Sequence, residues 1–171
     1  MSEPFLAKSN GTSLGAHTAD VLKAVAVLNK VYESHYPEGW WIALKYAALI
    51  HDCGKIDPDF QRKLKKGKNL PSIPHSLFSL FFIQTKHLPV IEENKPMCHY
   101  IISAVAFHHW REYFPDLLLG GRAVEISEKA AKCREDKYFW AERVEQLQNE
   151  LNNVAKKYDL TPEVIGLNEV L

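Results

Sequence analysis

The sequence predicts an all-α fold, and three observations carry that expectation. Apolar residues recur at helical spacing in several separate segments. Prolines, glycines and capping residues fall between those segments. No convincing strand, with its alternation of apolar and polar residues, stands out. With 171 residues, 46% of them hydrophobic, the chain can bury one core and is read as a single domain. Its end at Leu171 does not look like a natural stop, so the chain is expected to be the N-terminal part of a longer protein.

Taken in order, Ser13 is placed to cap a helix from Leu14 to about Ser34, with His17, Val21, Ala24, Val25 and Leu28 on its apolar face. Gly39 separates it from a second helix, Trp40 to Cys53, which is apolar nearly all round, as in a helix at the centre of a bundle. His51-Asp52 falls in its last turn, and Gly54 suits the left-handed residue that closes such a helix. Asp57-Pro58 opens a short helix reaching Leu64. It runs into a basic loop holding Arg62, Lys63, Lys65, Lys66 and Lys68, where Pro71 and Pro74 argue for extended chain.

Pro74-His75 opens a strongly apolar helix, Ser76 to Thr85. Asn94-Lys95-Pro96 starts another, which buries Ile101, Ile102, Val105 and Ala106 and ends in His108-His109. Asp136 to Tyr158 is a long amphipathic helix with Trp140, Val144, Leu147, Leu151, Val154 and Tyr158 at alternating spacings of four and three. Two heptads are too few for a coiled coil, so this stripe is read as covering the domain's own core rather than a partner helix. Thr161-Pro162 begins a further turn.

Twenty-one basic residues balance twenty-one acidic ones, so no whole-molecule field draws in nucleic acid or membrane, and any such binding must come from a local patch. The three cysteines form no CxxC pair, which argues against a disulfide framework and a thiolate zinc site. No signal peptide and no membrane-spanning run is evident, so a soluble cytoplasmic protein without a membrane partner is expected.

Five of the eight histidines and one aspartate fall at helix ends or on inward faces: His17, His51, Asp52, His75, His108 and His109. Any one of these histidines alone reads as an ordinary core or surface residue. Their joint placement points to a metal site, because a buried carboxylate is costly unless a cation compensates it. Imidazole and carboxylate suit first-row divalent ions, namely manganese, iron, cobalt, nickel or zinc, more than magnesium, and one carboxylate can bridge two of them. Asp52 is the natural bridge.

The order His17, His51-Asp52 with Gly54-Lys55, His75-Ser76 and His108-His109 resembles the HD phosphohydrolase superfamily. More narrowly, Leu6-Ala7-Lys8, Leu14 to Thr18, Leu49 to Lys55 with Phe60-Gln61, Pro74 to Leu80 and Ala106 to His109 resemble the HD nuclease of CRISPR type I interference systems, over residues 6–109. That resemblance implies a helical bundle with the metal site at its centre and cleavage of single-stranded DNA with two transition-metal ions. It implies that His17, His51 and Asp52 hold one ion, that Asp52, His75, His108 and His109 hold the other, and that Lys55 lies beside the scissile phosphate. The superfamily completes the first ion's shell with a later aspartate. Here the ligand is either beyond Leu171 or one of Asp116, Asp136 and Asp159, with Asp136 and Asp159 preferred. The implied partners are single-stranded DNA and a CRISPR effector complex, or a helicase that is fused or separate.

The expected chemistry is attack by a metal-activated water on the phosphodiester, with Asp52 and Lys55 as catalytic residues. The basic run Arg62 to Lys68 is a candidate guide for the nucleic-acid backbone, and Trp110 and Tyr113 are candidates to stack on an unpaired base. Two alternatives stay open: an HD phosphohydrolase acting on a nucleotide or small phosphoester, and a degenerate HD domain kept as a docking module.

Overall fold

Residues 3–67, 73–88, 96–109 and 122–168 are described by the computed structural model. Ser13 caps the first helix, α1 (Leu14–Tyr32), by accepting a hydrogen bond from the Ala16 amide at 3.1 Å. The buried line of α1 runs through Leu14, Thr18, Leu22 and Val25, because the helix packs on two others along that edge. This corrects the expected face: His17 and Val21 sit half-buried on its margin, and Ala24 and Leu28 are exposed. A short 3₁₀ turn, Glu33–His35, leads to the second helix, α2 (Glu38–Ile50). Gly39 therefore lies inside the first turn of α2 instead of separating two helices, with Pro37 supplying the break.

Every residue of α2 from Tyr46 to Ile50 is buried, so its last turn is packed on all sides. The helix stops at Ile50, and His51 and Asp52 follow it rather than ending it. Gly54 is not left-handed, contrary to its sequence reading; it sits in a 3₁₀ turn, Cys53–Ile56. Its role is close approach: a Cβ on Gly54 would lie 2.1 Å from the His75 carbonyl oxygen and 2.6 Å from the Ser79 amide. Ser79 Oγ fills the junction, accepting from the Gly54 amide at 2.8 Å and lying 2.7 Å from the His51 carbonyl and 2.8 Å from the His75 carbonyl.

Asp57 caps α3 (Pro58–Lys66), and the left-handed closing residue is Gly67, at φ 61°. The helix runs past the expected end at Leu64, so Lys65 and Lys66 are helical like Arg62 and Lys63 rather than in a loop, and Lys68 lies outside the described residues. The expected helix Ser76 to Thr85 is cut short: α4 (His75–Ser79) gives way to a 3₁₀ turn, Leu80–Phe82, and Ile83 pairs with Ile165 in an isolated antiparallel bridge. Backbone bonds from Gln84 N to the Val164 carbonyl (2.8 Å) and from Gly166 N to the Phe82 carbonyl (2.9 Å) hold the apolar run against the turn Pro162–Val164.

α5 (Pro96–Phe107) lies along α2 and runs in the same direction. The rings of Trp40 and Tyr100 meet at one end, with centroids 4.9 Å apart, and those of His51 and His108 at the other, 5.0 Å apart. A helix not anticipated from the sequence, α6 (Arg122–Glu135), precedes α7 (Lys137–Lys157). Trp140, Val144, Leu147 and Leu151 of α7 are buried in the core as expected, joined by Ala155, while Val154 and Tyr158 stay half-buried at its edge. Trp140 meets Phe78 at 5.4 Å, and Phe78 meets Phe82 at 5.0 Å, which ties α7 to the run after His75. No described helix is long and apolar enough to cross a membrane.

Two long side chains fasten α6 and α7 to the chain after His51-Asp52. Lys129 of α6 reaches the buried carboxylate of Asp57 at 2.7 Å. Arg143 of α7 donates to the Ile56 carbonyl from Nε at 2.8 Å and from Nη2 at 2.5 Å. Lys129→Met strands the Asp57 charge and is expected to cost about 3 kcal/mol, lowering the melting temperature by roughly 6–12 °C. An unchanged melting temperature would show that Asp57 needs no partner there.

Candidate metal centre

Five histidines reach one place from four helix ends. His17 is in the first turn of α1, His51 follows the last residue of α2, His75 opens α4, and His108 and His109 follow α5. Asp52 lies at their centre, 2% exposed. Its Oδ2 is 3.2 Å from His17 Nε2, 3.3 Å from His51 Nε2 and 2.7 Å from Lys55 Nζ. Its Oδ1 is 3.1 Å from His75 Nε2 and 3.4 Å from His108 Nε2. His109 Nε2 stands 2.9 Å from His75 Nε2.

The ring orientations decide what this cluster can hold. His51 Nδ1 is 2.8 Å from the Ala48 carbonyl and His108 Nδ1 is 2.8 Å from the Val105 carbonyl. A carbonyl only accepts, so each Nδ1 carries the proton and, in the neutral ring, each Nε2 presents a lone pair to Asp52. This is the arrangement by which metal-binding histidines are held: one nitrogen donates to the backbone and the other faces the ion. Both oxygens of Asp52 and Nε2 of His108 are buried without a hydrogen bond, although Lys55 Nζ stands 2.7 Å from Oδ2. At Oδ1, which faces His108 Nε2, acceptor meets acceptor in a buried site, and a cation between them removes the conflict.

The donor atoms divide into two groups that can hold a metal ion, His17, His51 and Asp52 on one side and Asp52, His75, His108 and His109 on the other. The atoms of each group lie within 4.8 Å of one another, and Asp52 belongs to both. The fit is good in chemistry as well as in space, since imidazole with carboxylate is a transition-metal donor set. Lys55 is 7% exposed, with Nζ shared between Asp52 and the Ala7 carbonyl at 3.2 Å.

No protein-family model, curated protein or solved structure matches this chain.

Electrostatics agree with a site built for cations. Burial alone would raise the pKa of Asp52, but in the metal-free protein N–H groups of His108, His51 and His75 directed at it hold its carboxyl well below the usual carboxylate range, so it is ionised; a cation takes over that role where the Nε2 atoms present lone pairs. Burial lowers the pKa of His75 to about 4, against the pull of Asp52, and lowers that of His17 as well. Between pH 6.5 and about 4 the unfolded chain therefore binds a proton at His75 that the folded protein refuses. Asp52 stays ionised across that window and does not offset the effect. Metal-free protein is expected to lose about 3 kcal/mol of stability as the pH falls through it, read by urea unfolding after chelation. A flat profile would mean that His75 titrates freely in the fold.

The expected later aspartate does not appear among the described residues. Asp136 is exposed at the start of α7, and Asp159 is exposed just past its end, at φ 57°. Neither joins a ligand group, and Asp116, Trp110 and Tyr113 lie outside the described residues. The basic run is partly neutralised: Arg62 pairs with Asp59, and Lys65 pairs with Glu3 at 2.8 Å.

Residues that hold the site were not legible one by one. Glu150 of α7 accepts from the Phe5 amide at 3.1 Å and the Gly15 amide at 2.8 Å, fixing the start of α1 and so His17. Gln61 of α3 donates to the Leu6 carbonyl at 2.9 Å and the Lys55 carbonyl at 2.7 Å and accepts from the Leu6 amide. Only Gln61 had a signal, as part of the Phe60-Gln61 block.

Proposed function

We propose that this chain is a metal-dependent phosphodiesterase of the HD type, cutting single-stranded DNA in CRISPR type I interference. The observation that carries the proposal is one buried, ionised carboxylate shared by two groups of imidazole donors. Two divalent cations, when bound, supply neutralisation of phosphate charge and a lowered pKa for water.

The chain's own residues supply the rest. Asp52 sets the separation of the two donor groups, and the backbone carbonyls of Ala48 and Val105 fix the tautomers of His51 and His108. Lys55, held by the Ala7 carbonyl next to Asp52, places a positive charge at the edge of the site, where a phosphate oxygen gathers charge in the transition state. The Phe60 ring lies 5.0 Å from the His75 ring, so α3 borders the centre, and its basic residues Arg62, Lys63, Lys65 and Lys66 are proposed to guide a nucleic-acid backbone towards it. A CRISPR effector complex or a helicase is the proposed partner, on the same sequence blocks.

The test is cleavage of a single-stranded oligonucleotide by purified protein with manganese, cobalt, nickel or zinc. Activity is expected to vanish with chelator and in His51→Ala, and to return when the ion is restored to the unsubstituted protein. Turnover of free nucleotides with no cleavage of the oligonucleotide would assign the site to a small-phosphoester hydrolase instead.

A further inference from the structure

The parallel course of α2 and α5 leaves an open groove between them, with a volume of about 390 Å³. Its floor is made by small residues, Ala43 and Ala47 of α2 and Ala104 of α5, and its far end by Trp40 and Tyr100. Those two rings are about half exposed, 45% and 48%, yet are tilted only 30° from each other at 4.9 Å. Among the described residues, no charged side chain lines the groove. It therefore suits a flat, uncharged, apolar group and does not suit a phosphate.

Position says which group. On α2, Trp40, Leu44, Ala47 and His51 follow one another at spacings of four, three and four, and so share one helix face. On α5, Tyr100, Ala104 and His108 do the same. About one helical turn beyond Ala47 and Ala104 the same two faces carry His51 and His108, whose Nε2 atoms face Asp52. The groove and the metal centre thus follow one another along the α2/α5 pair, with Trp40 and Tyr100 meeting at one end and His51 and His108 at the other. The eleven helical steps from Trp40 to His51 rise roughly 16 Å, a distance across which a short stretch of unpaired nucleic acid fits.

We propose that the α2/α5 groove is a nucleobase-binding subsite, in which Trp40 and Tyr100 take the base of a nucleotide whose backbone runs on to the metal centre. This rests on the phosphodiesterase reading for the identity of the ligand. The base contributes only its π-face and asks for no hydrogen-bond code, so the subsite selects unpaired over paired strands without selecting sequence. Duplex DNA, whose bases are already stacked, has nothing to insert.

The experiment is a titration of chelator-treated protein with a short oligothymidylate and with its abasic counterpart, followed by tryptophan fluorescence. Intact oligonucleotide is expected to quench fluorescence and bind about tenfold more tightly than the abasic strand. Trp40→Phe removes most of the quenching, and Tyr100→Ser brings the two affinities together, while metal content stays that of the unsubstituted protein. Tyr138→Ala, an exposed aromatic on α7 remote from the groove, serves as the control that leaves the difference intact. Equal affinity for the two strands, or groove variants that still prefer the intact one, overturns the proposal. A change of oligomeric state in the groove variants overturns it too, by making the groove a contact between copies. If the protein quenches and discriminates as expected but cleaves nothing with any metal, the base subsite stands and the phosphodiesterase reading fails.

Discussion

Asp52→Asn is expected to leave the protein without tightly bound metal and without phosphodiesterase activity. Both donor groups contain this carboxylate, so one substitution removes a ligand from each. Loss of a hydrogen bond behind a metal ligand already costs on the order of 10–100-fold in affinity or activity, and loss of the shared ligand itself is expected to exceed about 100-fold. His17→Ala is the informative partner, because His17 belongs to one group alone. It is expected to lower metal content by part and to keep the ion on the His75 side. Metal analysis of the two variants beside the unsubstituted protein checks both statements, and equal loss in the two would show that the groups bind as one.

Gly54→Ala is expected to be the most destabilising single methyl addition among the described glycines. The atoms it meets belong to the backbone of His75 and Ser79, which cannot rotate aside. Gly54 has no positive φ, so the cost is wholly steric. Helix α4 must move away, breaking the Ser79 hydroxyl bonds and carrying His75 out of line. A loss of about 3–5 kcal/mol is expected, lowering the melting temperature by roughly 6–20 °C, together with weaker metal binding on the His75 side. Gly67→Ala calibrates this result: nothing lies within 4 Å of its Cβ, but φ is 61°, so about 1–2 kcal/mol of backbone strain is the whole expectation. Equal melting temperatures for the two variants would mean that α4 gives way without cost.

The clustered histidines and Asp52 were legible in the sequence as candidate ligands because each stands where a helix begins or ends, and helix ends are marked by composition. Ser13 before α1, Pro74 before His75 and the apolar stretches leading into His51 and His108 all have local signals. The long stripe of α7 was legible for the same reason, since four-three spacing survives any tertiary detail. By contrast, α6 has few apolar residues and faces largely outwards, with Val124 59% exposed, so periodicity had little to report. The break after Ser79 was hidden because a run such as Leu80, Phe81, Phe82 and Ile83 reads equally well as buried helix or as extended chain. Pairing with Ile165, more than eighty residues away, decides it.

Gly54 shows the same limit at the scale of one residue. Its place after a helix suggested left-handed closure, whereas its cause is the nearness of a helix that starts twenty-one residues later. Lys129, Arg143 and Glu150 likewise act across long separations, and no local pattern distinguishes them from solvated residues.

Anomalous diffraction from crystals grown with manganese shows whether Asp52 joins two metal sites. Two peaks are expected, one on each side of the Asp52 carboxylate and roughly 3.5–4 Å apart, with His17 and His51 nearest one and His75, His108 and His109 nearest the other. Crystals that show no peak within coordination distance of Asp52 would contradict that expectation.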